Sequence, residues 1–389
     1  MSIVIFGDIF SFPEGDAATN RVYTYANGFI ENGIRTDVVT IGNEYNSFAS
    51  GITNGISYYN AFGQKERNNN FVIRNSQKLL KYFKAIRIFR RINKEEKISA
   101  IIIFTNFLMT HLFGWFLSKI CNAKLLIECS ENPLRFYQNG ALNRRIGVIK
   151  FYIESYFCDG VFCISRFLLE FYKERGISQK KLFIVHCTAD PDRFAQPVEK
   201  PVPYSYIGYF GGLTFKRDNI EILFRAFALI SDKHPDIHLV VGGVGTDDER
   251  NQIRSLIKDL GISSKAVLLD FLSRSEIVRY IVHSDILVMV RGKDMESQAS
   301  FPSKLTEYLS TSKPVVSVNV GEISDYLTDG VNSFLVEPEN YVALAEKLDY
   351  VLNNYESALE IAKRGKELTS TIFNYNYQAK RIIQYIETL

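Results

Sequence analysis

The residues best suited to chemistry lie in "SFPSKLTEYLSTSKPVVSVNVG", from Ser300 to Gly321. Pro302 blocks helix continuation behind it, and Ser303 is a good N-cap. The pattern predicts a helix from there to about Thr311. Pro314 ends it and opens a buried strand of Pro-Val-Val type. The first amides of such a helix lack internal acceptors, so they suit an anion such as a phosphate. Glu307 lies one turn in. Its carboxylate can accept two hydrogen bonds from vicinal hydroxyls, as on a ribose. An acid near a helix start also complements the helix dipole with no ligand at all.

Two more constellations combine small residues with charge. In "YFGGLTFKRDNIEILFRAF", Tyr209 to Phe227, a strand ends at Gly211-Gly212 and a loop carries Lys216 and Arg217 before a helix. Glycines let backbone approach a ligand closely, and the cations can meet a diphosphate. The plain alternative is a turn with solvated cations. In "GDIFSFPEGDAATNRVYTYANGFIENG", from Gly7, a first strand runs into a loop at Gly15-Asp16-Ala17-Ala18, and a helix starts near Thr19. This is not G-x-G-x-x-G, so the nicotinamide fingerprint is absent.

Other motifs carry less. His234 and His238 have a metal-like spacing, but Pro235 and the strand after it break the helix a metal pair needs. "DPD" at Asp190–Asp192 reads as a turn. No Walker-type phosphate loop occurs, and no Ser-His-Asp arrangement can be read from spacing. No metal or cofactor is expected.

These residues need a scaffold. Apolar strand-like runs occur at Ile3–Phe6, Asp37–Ile41, Ala100–Phe104, Lys124–Glu128, Gly160–Ile164 and Leu182–His186. A second series follows at Tyr204–Tyr209, Ile237–Val241, Ala266–Asp270, Ile286–Val290 and Pro314–Val318. Strands that alternate with amphipathic stretches imply parallel sheets covered on both faces, an α/β fold. Two series in 389 residues imply two doubly wound, Rossmann-like domains. The linker is expected in "AQPVEKPVP", Ala195 to Pro203. Ligands of such folds bind beyond the carboxyl ends of the strands, so a central cleft between the domains is the expected site.

Composition narrows the class. The five cysteines, Cys121, Cys129, Cys158, Cys163 and Cys187, are odd in number and show no C-x-x-C spacing, which fits reduced thiols in a cytosol. Met1-Ser2 leads straight into a strand, so no signal peptide is expected. The apolar stretch Ile98–Leu117 is interrupted by Thr105, Asn106, Thr110 and His111, and reads as a strand plus a core helix rather than a membrane span. Residues 1–195 carry 25 Lys/Arg and 17 Asp/Glu, and the remainder carries 21 and 26. A basic first half suits an anionic surface or substrate.

Part of that charge lies in Phe71 to Lys97. Lys78, Lys81, Lys84, Arg87, Arg91 and Lys94 recur at helical spacing, with Leu79, Tyr82, Phe83, Ile86 and Phe89 mostly on the other side. Such a basic amphipathic helix can lie on an anionic membrane leaflet. It can equally be a surface helix with a solvated basic face. No nucleic-acid module accompanies the charge.

The ordered blocks "GGLTFKRD…LFRAF", "LVVGGVG", "VLLDFLSRSEI…HSDILVMV" and "FPSKLTEYLSTSKPVVSVNVGEISDYLTDGVNSFLVEP" resemble the sugar-nucleotide-binding half of family-four, GT-B-fold retaining glycosyltransferases (glycosyl transferases group 1). The resemblance runs from about Tyr204 to Leu352. A weaker one covers the first half, in the loop and helix at its start, "CISRFLLEFYKERG" and "VHCTADPDRF". It implies an acceptor-side domain over 1–197, a nucleotide-sugar domain over 198–372, and a last helix over 373–389 that crosses back to the first domain.

The resemblance also implies roles. Glu307 matches the second acid of the family's E-x7-E motif, which holds the donor ribose. Ser303, Lys304 and Leu305 open the helix that faces the diphosphate. Arg217 matches a phosphate-binding lysine, with Lys216 beside it, and the family's nearby arginine falls on Gly212. Gly15 and Asp16 belong to the loop that approaches the diphosphate from the first domain. The first acid of E-x7-E falls on Ala299, with Asp294 and Glu296 close by as substitutes. The family's histidine of the first domain is replaced by "LLIECSENP", where Glu128 is nearest and Glu131 is a little beyond.

The implied activity is metal-independent, retaining, hexosyltransferase-type transfer from a nucleotide-sugar. The acceptor is a hydroxyl of a saccharide or lipid-linked saccharide, in cell-surface polysaccharide synthesis. The protein would be cytoplasmic, at the inner face of the plasma membrane through 71–97. Two alternatives share the fold: a nucleotide-sugar epimerase, which needs no acceptor, and a non-catalytic sugar-nucleotide-binding partner protein, for which Ala299 is the best argument.

Overall fold

The computed structural model describes residues 1–15, 17–45 and 49–389. The chain divides into two compact units, 1–186 with 375–389, and 187–374.

In chain order the first unit comprises β1 (Ser2–Gly7), α1 (Ala17–Glu31), β2 (Arg35–Thr40), β3 (Ser50–Thr53), β4 (Ile56–Asn60), α2 (Phe71–Glu95), β5 (Ile98–Phe104), α3 (Leu108–Cys121), β6 (Lys124–Cys129), α4 (Ala141–Tyr156), β7 (Gly160–Cys163), α5 (Arg166–Glu174) and β8 (Leu182–Ile184). Its sheet has the order β3-β4-β2-β1-β5-β6-β7-β8. Every pairing is parallel except that of β3 with β4. Ile3, Val4, Ile5 and Phe6 are fully buried, as a parallel strand covered on both faces requires. One face packs Ile3, Ile5, Ile102 and Leu126 against α1 and the chain's last helix. The other packs Val4, Phe6, Ile101 and Ile103 against Ala85, Phe89 and Ile92 of α2 and Leu117 of α3.

The second unit comprises β9 (Ser205–Gly212), α6 (Glu221–Ile230), β10 (Ile237–Val244), α7 (Asp247–Asp259), β11 (Ala266–Leu268), α8 (Glu276–His283), β12 (Ile286–Met289), α9 (Met295–Ala299), α10 (Ser303–Leu309), β13 (Val315–Val318), α11 (Ile323–Tyr326), β14 (Phe334–Val336), α12 (Tyr341–Asn353) and α13 (Tyr355–Ser370). Its order is β11-β10-β9-β12-β13-β14, parallel throughout. The chain order jumps from β9 to β12 in this sheet, so their carboxyl ends mark a topological switch point, where ligands of open α/β sheets bind.

The last helix, α14 (Tyr375–Thr388), belongs to the first unit. It packs on α1 across Gly28, where a Cβ would stand 2.6 Å from the Ala379 Cβ and 2.9 Å from the Tyr375 carbonyl oxygen. The units divide at His186/Cys187 and Asn374/Tyr375, not within the proline-rich stretch. Hydrogen bonds explain the difference. Arg21 donates to the Val185 and His186 carbonyls in the first unit. In the second, the Ala189 amide donates to Phe373, the Val198 carbonyl lies 2.8 Å from His283 Nε2, and Arg279 reaches Glu199.

Two features depart from the sequence reading. The β3–β4 hairpin was not expected, although its signal was present. Asn54 and Gly55 take φ of +49° and +78° between the paired Thr53 and Ile56, the conformation an Asn-Gly hairpin turn favours. Its strands lack a continuous apolar run, and Ile52 is exposed. The basic helix also differs. Lys81 is not on a solvated face: its ammonium is buried and donates to the Ile41 carbonyl (2.7 Å) and Asn43 Oδ1 (2.9 Å). Leu79 and Phe83 are not shielded but stand exposed among the remaining cations.

Candidate active site

The opening stretch becomes a short turn of helix clamped to the sheet. Pro302, not Ser303, occupies the N-cap of α10, and no side chain caps it. The helix ends at Leu309, two residues short of the expected Thr311, with Ser310 as its C-cap. Leu305 is fully buried and its amide donates to the Pro302 carbonyl, so this residue offers nothing outward. Tyr308 fixes the helix to β9. Its hydroxyl accepts from the Phe210 amide (2.8 Å) and donates to the Phe210 carbonyl (3.1 Å).

That clamp lays Lys304 over the end of β9. The ammonium donates to the Tyr209 hydroxyl (2.7 Å), sits over the Tyr209 ring and stands 3.6 Å from Asp218. Gly211 and Gly212 now have a reason. A Cβ on Gly211 would stand 2.3 Å from Lys304 Nζ, and one on Gly212 would stand 2.2 Å from the Asp218 carboxylate. Asp218 also accepts from the Thr214 hydroxyl at 2.8 Å, which folds the Leu213–Asp218 loop onto itself.

A buried cation joins them. Arg291, just after β12, is 6% exposed and donates to the Ser300 hydroxyl at 2.7 Å. Burial pushes its guanidinium down to about 10, and the positive charge of Arg217 acts in the same direction. Burial likewise lowers the Lys304 ammonium to about 8, against the pull of Asp218 and with the push of Arg291 and Arg217. Lys304, Arg291 and Arg217 thus act on one another as like charges, while Asp218 acts the other way on Lys304 and Arg291, and Asp294 on Arg291. Cations gathered in a low-dielectric setting attract an anionic ligand strongly. Arg217 and Lys216 are both exposed on the loop. The Arg217 carbonyl accepts from the Gly292 amide, tying that loop to the end of β12. Lys216 borders a separate open cavity of about 410 Å³, lined also by Asn219, Lys293 and Asp294.

Glu307 follows Lys304 by three residues, one turn along the same face. Its Oε1 accepts from Arg193 Nη1 at 2.9 Å, and Arg193 Nη2 donates to the Arg274 carbonyl at 2.9 Å. Arg193 lies in the helical turn Pro191–Phe194 that contains the "DPD" motif. That segment holds the candidate ribose carboxylate, a role its sequence did not disclose. Ala299 is fully buried at the position of the missing acid. Asp294 does not replace it, because its carboxylate caps α9 through the Ser297 amide at 2.7 Å.

In the first unit, Glu128 is corrected from a catalytic candidate to a buried anchor. Its side chain is 1% exposed. Oε1 accepts from Arg21 Nε (2.6 Å) and Ser130 Oγ (2.6 Å), and Oε2 from the Tyr25 hydroxyl (2.9 Å). It joins α1 to β6. Removal of one partner from such a pair strands the other charge, so Glu128→Ala is expected to lose about 3–5 kcal/mol in urea unfolding. A loss below about 1 kcal/mol would show that Arg21 finds water instead. Glu131 pairs with Arg135. Gly15 is exposed, and a Cβ there would overlap the Thr19 hydroxyl, which donates to the Ser11 carbonyl. Asp16 lies outside the described residues.

Residues 192–368 match the family model described as glycosyl transferases group 1. Among curated proteins, an uncharacterized glycosyltransferase of Methanocaldococcus jannaschii is 26% identical over 175 residues, 45% of this chain and 43% of its own length. A D-inositol 3-phosphate glycosyltransferase of Corynebacterium urealyticum is 23% identical over 56% of this chain and 54% of its own. The chain thus spans about half the length of the curated relatives it matches. Among solved structures, sucrose-phosphate synthase of Thermosynechococcus elongatus superposes with TM-score 0.74 at 17% identity, over 100% of this chain and 98% of that one. Anabaena HepE, solved with UDP, gives 0.70 at 16% over the whole of both chains. At these identities the likeness concerns the fold. The chain therefore has the GT-B fold of glycosyltransferases, and its residues 192–368 form a glycosyl transferases group 1 domain.

Proposed function

We propose that the protein is a retaining, metal-independent glycosyltransferase that moves a sugar from a nucleotide-sugar to a hydroxyl of a saccharide or lipid-linked saccharide. The observation that carries this reading is the pairing on α10: a partly buried ammonium at Lys304, held over the end of β9, and a carboxylate at Glu307 one turn on. The first suits a diphosphate and the second the ribose beside it. Lys304, Arg291 and Arg217 stabilise charge on the departing diphosphate, which is the largest lever a site of this kind offers. Side-chain cations do there what a divalent metal would otherwise do. The setting is assembly of cell-surface polysaccharide, in the cytoplasm. A lipid-linked acceptor would bring the protein to the inner face of the plasma membrane, with α2 toward it.

HepE has been solved with UDP and with UDP-glucose, so uridine donors come first in the test. A thermal-shift screen with nucleoside diphosphates and nucleotide-sugars is expected to raise the melting temperature by a few degrees for one base. No shift with any nucleotide would overturn the reading. Once a donor is found, product analysis separates the alternatives. Donor converted without acceptor means an epimerase. Donor bound but never turned over means the binding-protein reading, which the buried Ala299 favours.

A further inference from the structure

One surface of the first unit is unlike the rest. Helices α2, α3 and α4 lie side by side on one face of the sheet. Their outer sides should be polar. Instead Leu142, Ile146, Ile149 and Tyr156 of α4 are 72, 49, 58 and 77% exposed. Their spacing of four, seven and fourteen residues from Leu142 sets them in one stripe. Val72, Leu79 and Phe83 make a similar stripe on α2, 63–72% exposed, and Met109 and Phe116 of α3 are 71 and 45% exposed. Stripes of exposed apolar side chains on neighbouring helices mark a binding surface.

The charge on the same three helices is one-sided. They contain twelve Lys and Arg and only two acids, Glu95 and Glu154. Glu154 is taken by Lys150. Beyond Phe83 the α2 stripe continues as Arg87, Arg90 and Lys94, all exposed, and Arg144, Arg145 and Lys119 are exposed beside the apolar residues of α4 and α3.

We propose that this three-helix face seats the protein on an anionic lipid bilayer, with the apolar side chains of α4, α3 and the first half of α2 inserted at the acyl boundary and the cations on the headgroups. This deepens the membrane reading of α2, which invoked charge on one helix alone, and it does not depend on the donor site. The charge selects the occupant. A second copy of this chain would bring the same positive surface and repel it. A protein partner would have to bring an apolar patch with an acidic rim to match it. Anionic lipid answers both the apolar stripe and the excess of cations.

The test is cosedimentation of the full chain with vesicles of phosphatidylcholine, and of phosphatidylcholine with about one-third phosphatidylglycerol. Anionic vesicles are expected to capture it at least about tenfold better than neutral ones. Part of the binding should survive about 0.5 M salt, because inserted side chains are not screened as surface charges are. Leu142→Ser, Ile146→Ser and Ile149→Ser together should lower the partition into anionic vesicles about 100-fold or more. These positions are exposed, so the unfolding midpoint and the nucleotide thermal shift should not move. Equal capture of that variant would overturn the three-helix face and leave binding by α2 charge alone. No capture of the wild type by any vesicle would overturn both, and would leave the transferase reading untouched. A dimer in light scattering that the triple variant abolishes would assign the face to a second copy.

Discussion

Glu307→Gln is expected to weaken nucleoside diphosphate binding about 10- to 150-fold, the equivalent of one charge-assisted hydrogen bond or slightly more. Glutamine has nearly the same shape and keeps an oxygen that Arg193 Nη1, now 2.9 Å from Oε1, can use. The change therefore removes charge while sparing the Arg193–Arg274 link. Alanine would remove both and mix a folding effect into the result. Calorimetric titration reads the loss directly, and an unchanged melting temperature without ligand shows that the fold was spared. Wild-type affinity in the glutamine variant would end the ribose assignment. A retained affinity with a lost rate would place Glu307 nearer the reacting sugar instead.

Lys304→Met should cost about 10²–10³ in turnover, the size of effect seen when one preorganised donor to developing charge is removed. Methionine keeps most of the unbranched side chain over Gly211 and Tyr209 and discards the charge. The wild type should also betray Lys304 through pH. Its ammonium is held at about 8 in the free protein by burial and by Arg291 and Arg217. A bound diphosphate favours the charged form and raises that value, so binding takes up a proton wherever the free group has lost one. Affinity should be flat below about pH 7 and fall by up to tenfold per unit above about pH 8. Folding stability should move the other way. The folded value lies below the unfolded one, so the cost of burying this ammonium is fully present below pH 8 and is relieved as pH rises toward the ordinary lysine value of 10.5. Nucleotide titrations from about pH 6.5 to 9.5 on wild type and Lys304→Met test this. A slope that persists in the methionine variant would assign the proton to another group.

Both predictions rest on a site that was only half legible in the sequence. Glu307 was visible because Pro302, the apolar spacing after it and Pro314 bracket a short helix whatever surrounds it. The strands were visible because a parallel strand buried on both faces must be a run of Val, Ile and Leu. The Asn54-Gly55 hairpin was equally local and could have been read, but the strands it joins are half-exposed and lack that run. The unit boundary was misplaced for a different reason. Proline-rich composition marks backbone that cannot form a helix, while the boundary depends on which side the Val198 carbonyl and Glu199 bond to.

By itself the sequence determined two parallel sheets, the helix that carries Lys304 and Glu307, the glycines at the end of β9 and the excess of cations in the first half. Only the tertiary structure decided what each charge does. Arg193 meets Glu307 across 114 residues, Glu128 is spent on Arg21 and Tyr25, and Lys81 turns inward while Leu79 and Phe83 turn out. Periodicity records which side of an element is apolar. Whether a carboxylate or an ammonium ends in water, beside an opposite charge or beside a like one depends on the elements that cross it, and these are brought there by topology from distant parts of the chain.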